Sequence, residues 1–259
     1  MAVWKAHYTD KHHDLDIDIL NTEEEYASDP LSFCIDGIAF SGTSLGDFHL
    51  SDPAMYERAK KEFHILKQGG NHITYSHPSQ IPYSYDLQRY SLDVRIPIPL
   101  FKKDSQQTIQ GNLRVYLKYC EHDMQKHNQS IHRCDDEIVY LDDIESAVFT
   151  LCAEGKEYSV DSKDLCFEIN LLRLSRIIRE EYSLKCCFTC QYSDYSPYGS
   201  DDYGTMLCYR HHKDAYLKVH DKASYFQYAE GLEHETRQET YCCEEYEPRT
   251  KCEGYRGFV

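Results

Sequence analysis

In the segment LDVRIPI the residues Leu92, Val94, Ile96 and Ile98 occupy alternate positions, and in NLRVYLKY so do Leu113, Val115, Leu117 and Tyr119. A period of two puts the apolar side chains of each run on one face of a strand and the polar ones on the other. Parallel sheets, covered on both faces, need continuous apolar runs, whereas antiparallel sheets leave one face in water. The alternation therefore commits this part of the chain to antiparallel pairing. Pro97 and Pro99 have no N–H to give a ladder, so this end of the first strand is predicted to lie at an edge or leave the sheet.

Other segments carry the same signal. DLDIDIL, Asp14 to Leu20, sets Leu15, Ile17 and Ile19 against a wholly acidic face of Asp14, Asp16 and Asp18, which suits an exposed edge strand. FCIDGIAF places Asp36-Gly37 between two apolar runs, and SAVFTLCAEGKEYSV does the same with Glu154-Gly155; both read as tight hairpins. SDPAMYERAKKEFHILKQGG predicts a helix capped by Ser51 or Asp52, with Pro53 in its first turn. Met55, Ala59, Phe63 and Leu66 form its apolar stripe, and Gly69-Gly70 end it. A second helix follows from Leu171, Leu174 and Ile178 in FEINLLRLSRIIREE. Hairpins with two helices give an α+β fold, an antiparallel strand-rich domain over 1–180 with few helices, followed by a small zinc-stabilised module over 181–259.

The stretch KCCFTCQYSDYSPYGSDDYGTMLCYRHH, Lys185 to His212, departs from that pattern. Cysteines elsewhere, such as Cys34, Cys120, Cys152 and Cys166, stand alone and read as reduced, buried thiols of a cytoplasmic chain. Here Cys187 and Cys190 form a CxxC, and Cys208 follows at the interval that separates the two halves of a four-cysteine zinc site. Zinc takes four soft or borderline ligands in a tetrahedron; one turn supplies two and a returning segment supplies the rest. The fourth ligand is open, with His211 favoured by spacing and Cys242, Cys243 and Cys252 offering thiolates from farther along. A redox dithiol fits less well, because no βαβ setting places the first cysteine at a helix start. Catalytic zinc lacks the HxE and PCxxC pattern of deaminases, and His122, His127 and His132 with Cys134 read as solvated loop residues.

Twelve of the 23 tyrosines lie from Tyr182 onward. Tyrosine joins large contact area to low rotamer entropy, so Tyr192, Asp194, Tyr195 and Tyr198 are candidate binding residues; the alternative is that the rings only cover a zinc-centred core. A basic patch of Arg210, His211, His212, Lys213 and Lys218 suggests single-stranded nucleic acid. Lys and Arg total 28 against 44 Asp and Glu, however, giving a net charge of -16, and the first 50 residues hold ten acids against two lysines. That balance opposes phosphate-backbone binding and suits a basic protein partner or plain solubility. There is no apolar run of membrane-spanning length, no basic leader, and no GxGxxG, GxxxxGK[ST], GxSxG or HExxH.

The runs CFTCQYSDYSPYG (187–199), MLCYRHHK (206–213), QETYCCEEYEPR (238–249) and GYRG (254–257) resemble an uncharacterised bacterial family of unknown function, strongly over 160–259 and less so before. The resemblance implies no activity. It implies a cysteine at Cys243 as the fourth ligand, giving Cys187, Cys190, Cys208 and Cys243, with His211 as the alternate. The expectation is a non-enzymatic acidic interaction protein with structural Zn2+, such as an immunity or inhibitor protein that neutralises a basic toxin. The competing expectation is a hydrolase or nucleic-acid-processing enzyme using Asp194, Asp201 and Asp202 of the 191–204 loop.

Overall fold

Strands β1 (Ala2–Thr9) and β2 (Asp14–Asn21) form the first hairpin, and β3 (Leu31–Ile35) and β4 (Ile38–Gly42) the second. Short β5 (His49–Leu50) leads to helix α1 (Tyr56–Glu62), then β6 (His64–Gly69) and β7 (Tyr83–Gln88). The longest pair is β8 (Tyr90–Lys102) with β9 (Gln107–Tyr119). β10 (Arg133–Cys134) and β11 (Glu137–Ile138) make a separate two-residue ladder. β12 (Ile144–Ala153) and β13 (Lys156–Ser162) close the series of hairpins before helix α2 (Phe167–Ile178) and β14 (Tyr182–Leu184). This computed structural model describes residues 1–23, 29–69, 83–119, 133–134, 137–138, 144–162, 165–199 and 203–249.

Twelve strands join in one antiparallel sheet, ordered β13-β12-β9-β8-β1-β2-β3-β4-β5-β7-β6, with β14 alongside β8. The sheet curls into a half-barrel whose concave face is a single apolar core. Leu92, Val94, Ile96, Ile98, Leu113, Val115 and Leu117 all point into it, as their alternation requires. Tyr8 stacks on Tyr90 at 6.0 Å, and Phe33 meets Phe40 and Phe48 at 5.2 and 4.8 Å. Each such ring contributes roughly 1.5–3 kcal/mol by leaving water. Helix α2 covers β12, β13 and β14 with Phe167, Leu171, Leu174 and Ile178.

Both two-residue turns have positive φ at both centres, 51° and 75° at Asp36-Gly37 and 47° and 80° at Glu154-Gly155, as hairpin twist demands. Pro97 and Pro99 stay paired with β9, but β1 leaves β8 after Arg95 and β14 joins only at Leu100. The prolines thus sit where that side of β8 has no strand.

Three expectations are corrected. Cys34, expected to be buried, is exposed because the alternation of β3 turns it outward between Phe33 and Ile35, and Cys152 and Cys166 are only partly buried. The first helix begins where predicted, with Asp52 Oδ1 accepting the Ala54 N–H at 2.9 Å and Pro53 in a 3-10 turn, but it stops at Glu62. His64 to Gly69 is strand instead, paired with β7, because a distant ladder outweighs the local helical spacing. DLDIDIL is not at an edge of the sheet order; β2 lies between β1 and β3. Only Leu20 and Asn21 meet β3, so the acidic stretch keeps one strand neighbour, and Lys5 and His7 of β1 answer its aspartates. His122, His127, His132, Asp201, Asp202, Cys252 and the GYRG run lie outside the described residues. Among the described residues no helix is long and apolar enough to cross a membrane.

Beyond α2 the chain builds a three-stranded sheet of β15 (Ser193–Asp194), β16 (Met206–Cys208) and β17 (Glu235–Arg237), with helices α3 (Lys213–Tyr216) and α4 (Lys222–Tyr228). It is joined to the half-barrel through packing. Tyr203 lies 6.1 Å from Trp4 and 4.4 Å from Phe167, and Cys186, Cys187 and Phe188 belong to the main core.

Candidate functional site

A 3-10 turn over Cys187–Thr189, closed by the Cys190 N–H on Cys187 O at 3.2 Å, puts two thiols on one bend of chain. Cys208 ends β16 opposite Ser193 of β15, so the ladder carries a third thiol back beside that bend. Segment 238–249 then wraps the turn. Cys187 N–H donates to Tyr241 O at 2.7 Å, Phe188 N–H to Glu239 O at 3.1 Å, Gln191 N–H to Glu247 O at 2.9 Å, and Arg249 N–H to Thr189 O at 2.9 Å. Cys243 sits in the middle of this segment.

Each of the four cysteines lies within electrostatic range of the other three. Cys187, Cys190 and Cys208 are buried, and Cys243 is partly exposed. Burial first, and then the neighbouring thiols, push the Cys187 thiol well up. Burial also raises Cys190 and Cys208, but backbone N–H groups oppose it by favouring the thiolates: those of Glu247 and Tyr192 at Cys190, and that of Arg210 at Cys208. In both knuckles the donor two residues on turns its N–H toward the sulfur, an outer shell suited to holding thiolate. Cys186 is wholly buried in the main core, its thiol pushed up to about 12 by desolvation.

His211 is turned away to other work. Its ring is exposed and its Nε2 lies 3.0 Å from Glu235 Oε1, and the same carboxylate takes Arg210 and Arg237. Arg210 above all, with His211 and Arg237, holds the Glu235 carboxyl down to about 2.

Of the four candidate binding residues only Tyr198 stands at the surface, 73% exposed, with its hydroxyl on Glu230 at 2.7 Å. Tyr192 is buried beneath Lys213, whose Nζ is 4.8 Å from the ring centre. Tyr195 is buried and donates to Glu239 Oε1 at 3.3 Å. Asp194, 1% exposed, receives the Tyr216 hydroxyl at 2.9 Å and the guanidinium of Arg249 at 3.3 Å. Other tyrosines pack likewise: Tyr209 stacks on Tyr216 at 4.5 Å and shares a 2.8 Å hydroxyl contact with Tyr225. Arg249 and Glu239 were not singled out in the sequence. Each is a charged residue among other charges there, and only the fold buries it.

A model described as a family of unknown function (DUF6304) matches residues 2–193. The matched span holds the half-barrel and the CxxC, and ends before Cys208 and Cys243. Comparison with curated proteins and with solved structures gave no match.

Proposed function

The chain belongs to a family of unknown function (DUF6304), and from that premise we propose that it is a non-enzymatic, acidic interaction protein whose C-terminal module is organised by structural zinc. The observation that carries the interaction role is the row Asp14, Asp16 and Asp18. Their side chains are 77%, 93% and 52% exposed on one face of β2, in a chain of net charge -16. The row is paired along β1 by Lys5 and His7 yet keeps its outer face in water, where it steers a cationic surface. The partner we assign is a basic protein, concretely a toxin that this chain neutralises as an immunity or inhibitor protein.

Zinc fits the donor set. Cys187, Cys190, Cys208 and Cys243 would hold it, and the ion would add to the positive charge of Arg249 and Arg210, which already favours the thiolates of Cys190 and Cys208. Its role is to fix the fold of the module, and the ring of His211, already engaged by Glu235, is left out of the set. Nine free thiols among the described residues support a reducing, cytoplasmic setting. The enzymatic alternative has less support, since Asp194 is buried and committed to Arg249 and Tyr216.

The test is co-purification with a basic protein encoded beside this chain. Binding should weaken with salt and fall at least tenfold in Asp14→Asn/Asp16→Asn/Asp18→Asn with the fold unchanged. Turnover of any substrate, abolished by Asp194→Asn in a folded protein, sinks the reading.

A further inference from the structure

The β1–β2 turn contains a histidine held in an unusual way. His13 is nine-tenths buried, its ring stacked on Phe63 at 4.5 Å and 9°. Nδ1 lies 2.9 Å from Asp10 Oδ1 and 3.1 Å from Oδ2. Asp10 also accepts the N–H of His12 at 2.7 Å, the N–H of His13 at 2.8 Å and the Tyr8 hydroxyl at 2.9 Å. Both its oxygens are acceptors, so Nδ1 carries a proton, and the neutral ring presents a lone pair at Nε2. What Nε2 faces is more acceptors. Asp36 Oδ2 lies 3.7 Å away, beyond hydrogen-bond reach, and Glu62 ends α1 nearby. One ligand atom from each of His13, Asp36 and Glu62 falls within 4.8 Å of the others. The cation beside them is Arg58, whose Nε is 3.6 Å from Glu62 Oε1 and whose guanidinium donates to Asp36 O at 2.6 Å.

We infer that His13 Nε2, Asp36 and Glu62 bind a first-row divalent cation, with Asp10 as the outer carboxylate that fixes the imidazole. A carboxylate on the far ring nitrogen is how metal-ligating histidines are oriented and made more basic. One imidazole and two carboxylates suit a borderline to hard ion, Zn2+, Fe2+ or Mn2+, and leave positions open for water or a further ligand. Three elements supply the donors. The turn gives His13, the β3–β4 hairpin gives Asp36 at its positive-φ corner, and the end of α1 gives Glu62, where the helix stops one residue before Phe63 becomes the stacking surface for the ring. Asp36 is mostly exposed and can swing inward, while the buried histidine is already in place. The competing arrangement is an imidazolium held between Asp10 and Asp36, which binds no ion.

Calorimetric titration of the full chain with Zn2+ near neutral pH, wild type against variants, separates the two. His13→Gln should take up one equivalent fewer than wild type, and Asp10→Asn should weaken that equivalent 10–100-fold. The readout is a difference between variants, so it is independent of what occupies the thiols and of the zinc reading above. Equal uptake by wild type and folded His13→Gln overturns the site. If His13→Gln does not fold, Glu62→Gln, changed at a partly exposed side chain, decides: at least tenfold weaker binding upholds the site, and unchanged binding overturns it.

Discussion

Asn21 and Gln238, 217 residues apart, hold each other by two reciprocal hydrogen bonds, Asn21 Nδ2 to Gln238 Oε1 at 2.7 Å and Gln238 Nε2 to Asn21 Oδ1 at 2.8 Å. Both amides are buried, and Tyr203 adds its hydroxyl to the same Gln238 oxygen at 3.0 Å. The pair clips the end of β2 to the returning C-terminal segment. Removing one amide leaves the other buried without its partner, which costs about 1–3 kcal/mol. Asn21→Ala and Gln238→Ala should each lose that much in urea unfolding. The double variant should lose less than their sum, because the second truncation removes the orphan left by the first.

Arg249 and Asp194 make an ion pair with both side chains almost wholly buried. Arg249→Met should destabilise by roughly 3–5 kcal/mol, since it strands a carboxylate in the interior. Arg249→Met/Asp194→Leu should recover part of the loss. A rate effect of Asp194→Asn without a stability effect contradicts this structural role.

The Glu235 carboxyl, held down to about 2 from a usual 4.5 chiefly by Arg210, makes stability pH-dependent. A depressed folded-state pKa gives stability that is fully present above the unfolded value and lost as pH falls through the folded one. The stability difference between wild type and Glu235→Gln should therefore be constant above about pH 5. It should shrink steadily from there toward pH 2, as followed by chemical unfolding at each pH.

Metal analysis of the purified chain should return about one zinc at the thiols, and chelation should lower the thermal midpoint because ion binding and folding are linked. Cys208→Ser should lose both the ion and the effect of chelator, whereas Cys34→Ser, at an exposed lone thiol, should change neither. A metal-free protein with a Cys187–Cys190 disulfide sinks the zinc assignment.

The strands were readable because their information is local. Alternation at Leu92–Ile98 and Leu113–Tyr119 and the turns Asp36-Gly37 and Glu154-Gly155 each specify geometry within a few residues. His64 to Gly69 was not readable, since its partner, Tyr83–Gln88, lies across a long interval and Met55, Ala59, Phe63 and Leu66 mimic a helical stripe. The thiol spacing was legible, and the N–H groups of Tyr192 and Arg210 come from the same local turns, but the Glu247 N–H at Cys190 arrives only when segment 238–249 docks. Tyr192 and Tyr195 misled for another reason: an amphipathic ring serves a core as well as a surface. For His13, the spacing Asp10-x-x-His13 hinted at the orienting bond, while Asp36 and Glu62 arrive from other elements.

Segment 238–249 is threaded through everything that precedes it, touching Asn21, the Cys187 turn, Thr189 and Asp194. During synthesis those contacts cannot form until this segment has cleared the ribosome. A nascent chain that already holds a complete β8–β9 hairpin must wait with the Cys187 turn unwrapped and Asp194 without its counter-charge. The order of translation thus leaves the wrapping of the Cys187 turn until after every strand of the half-barrel has been synthesised.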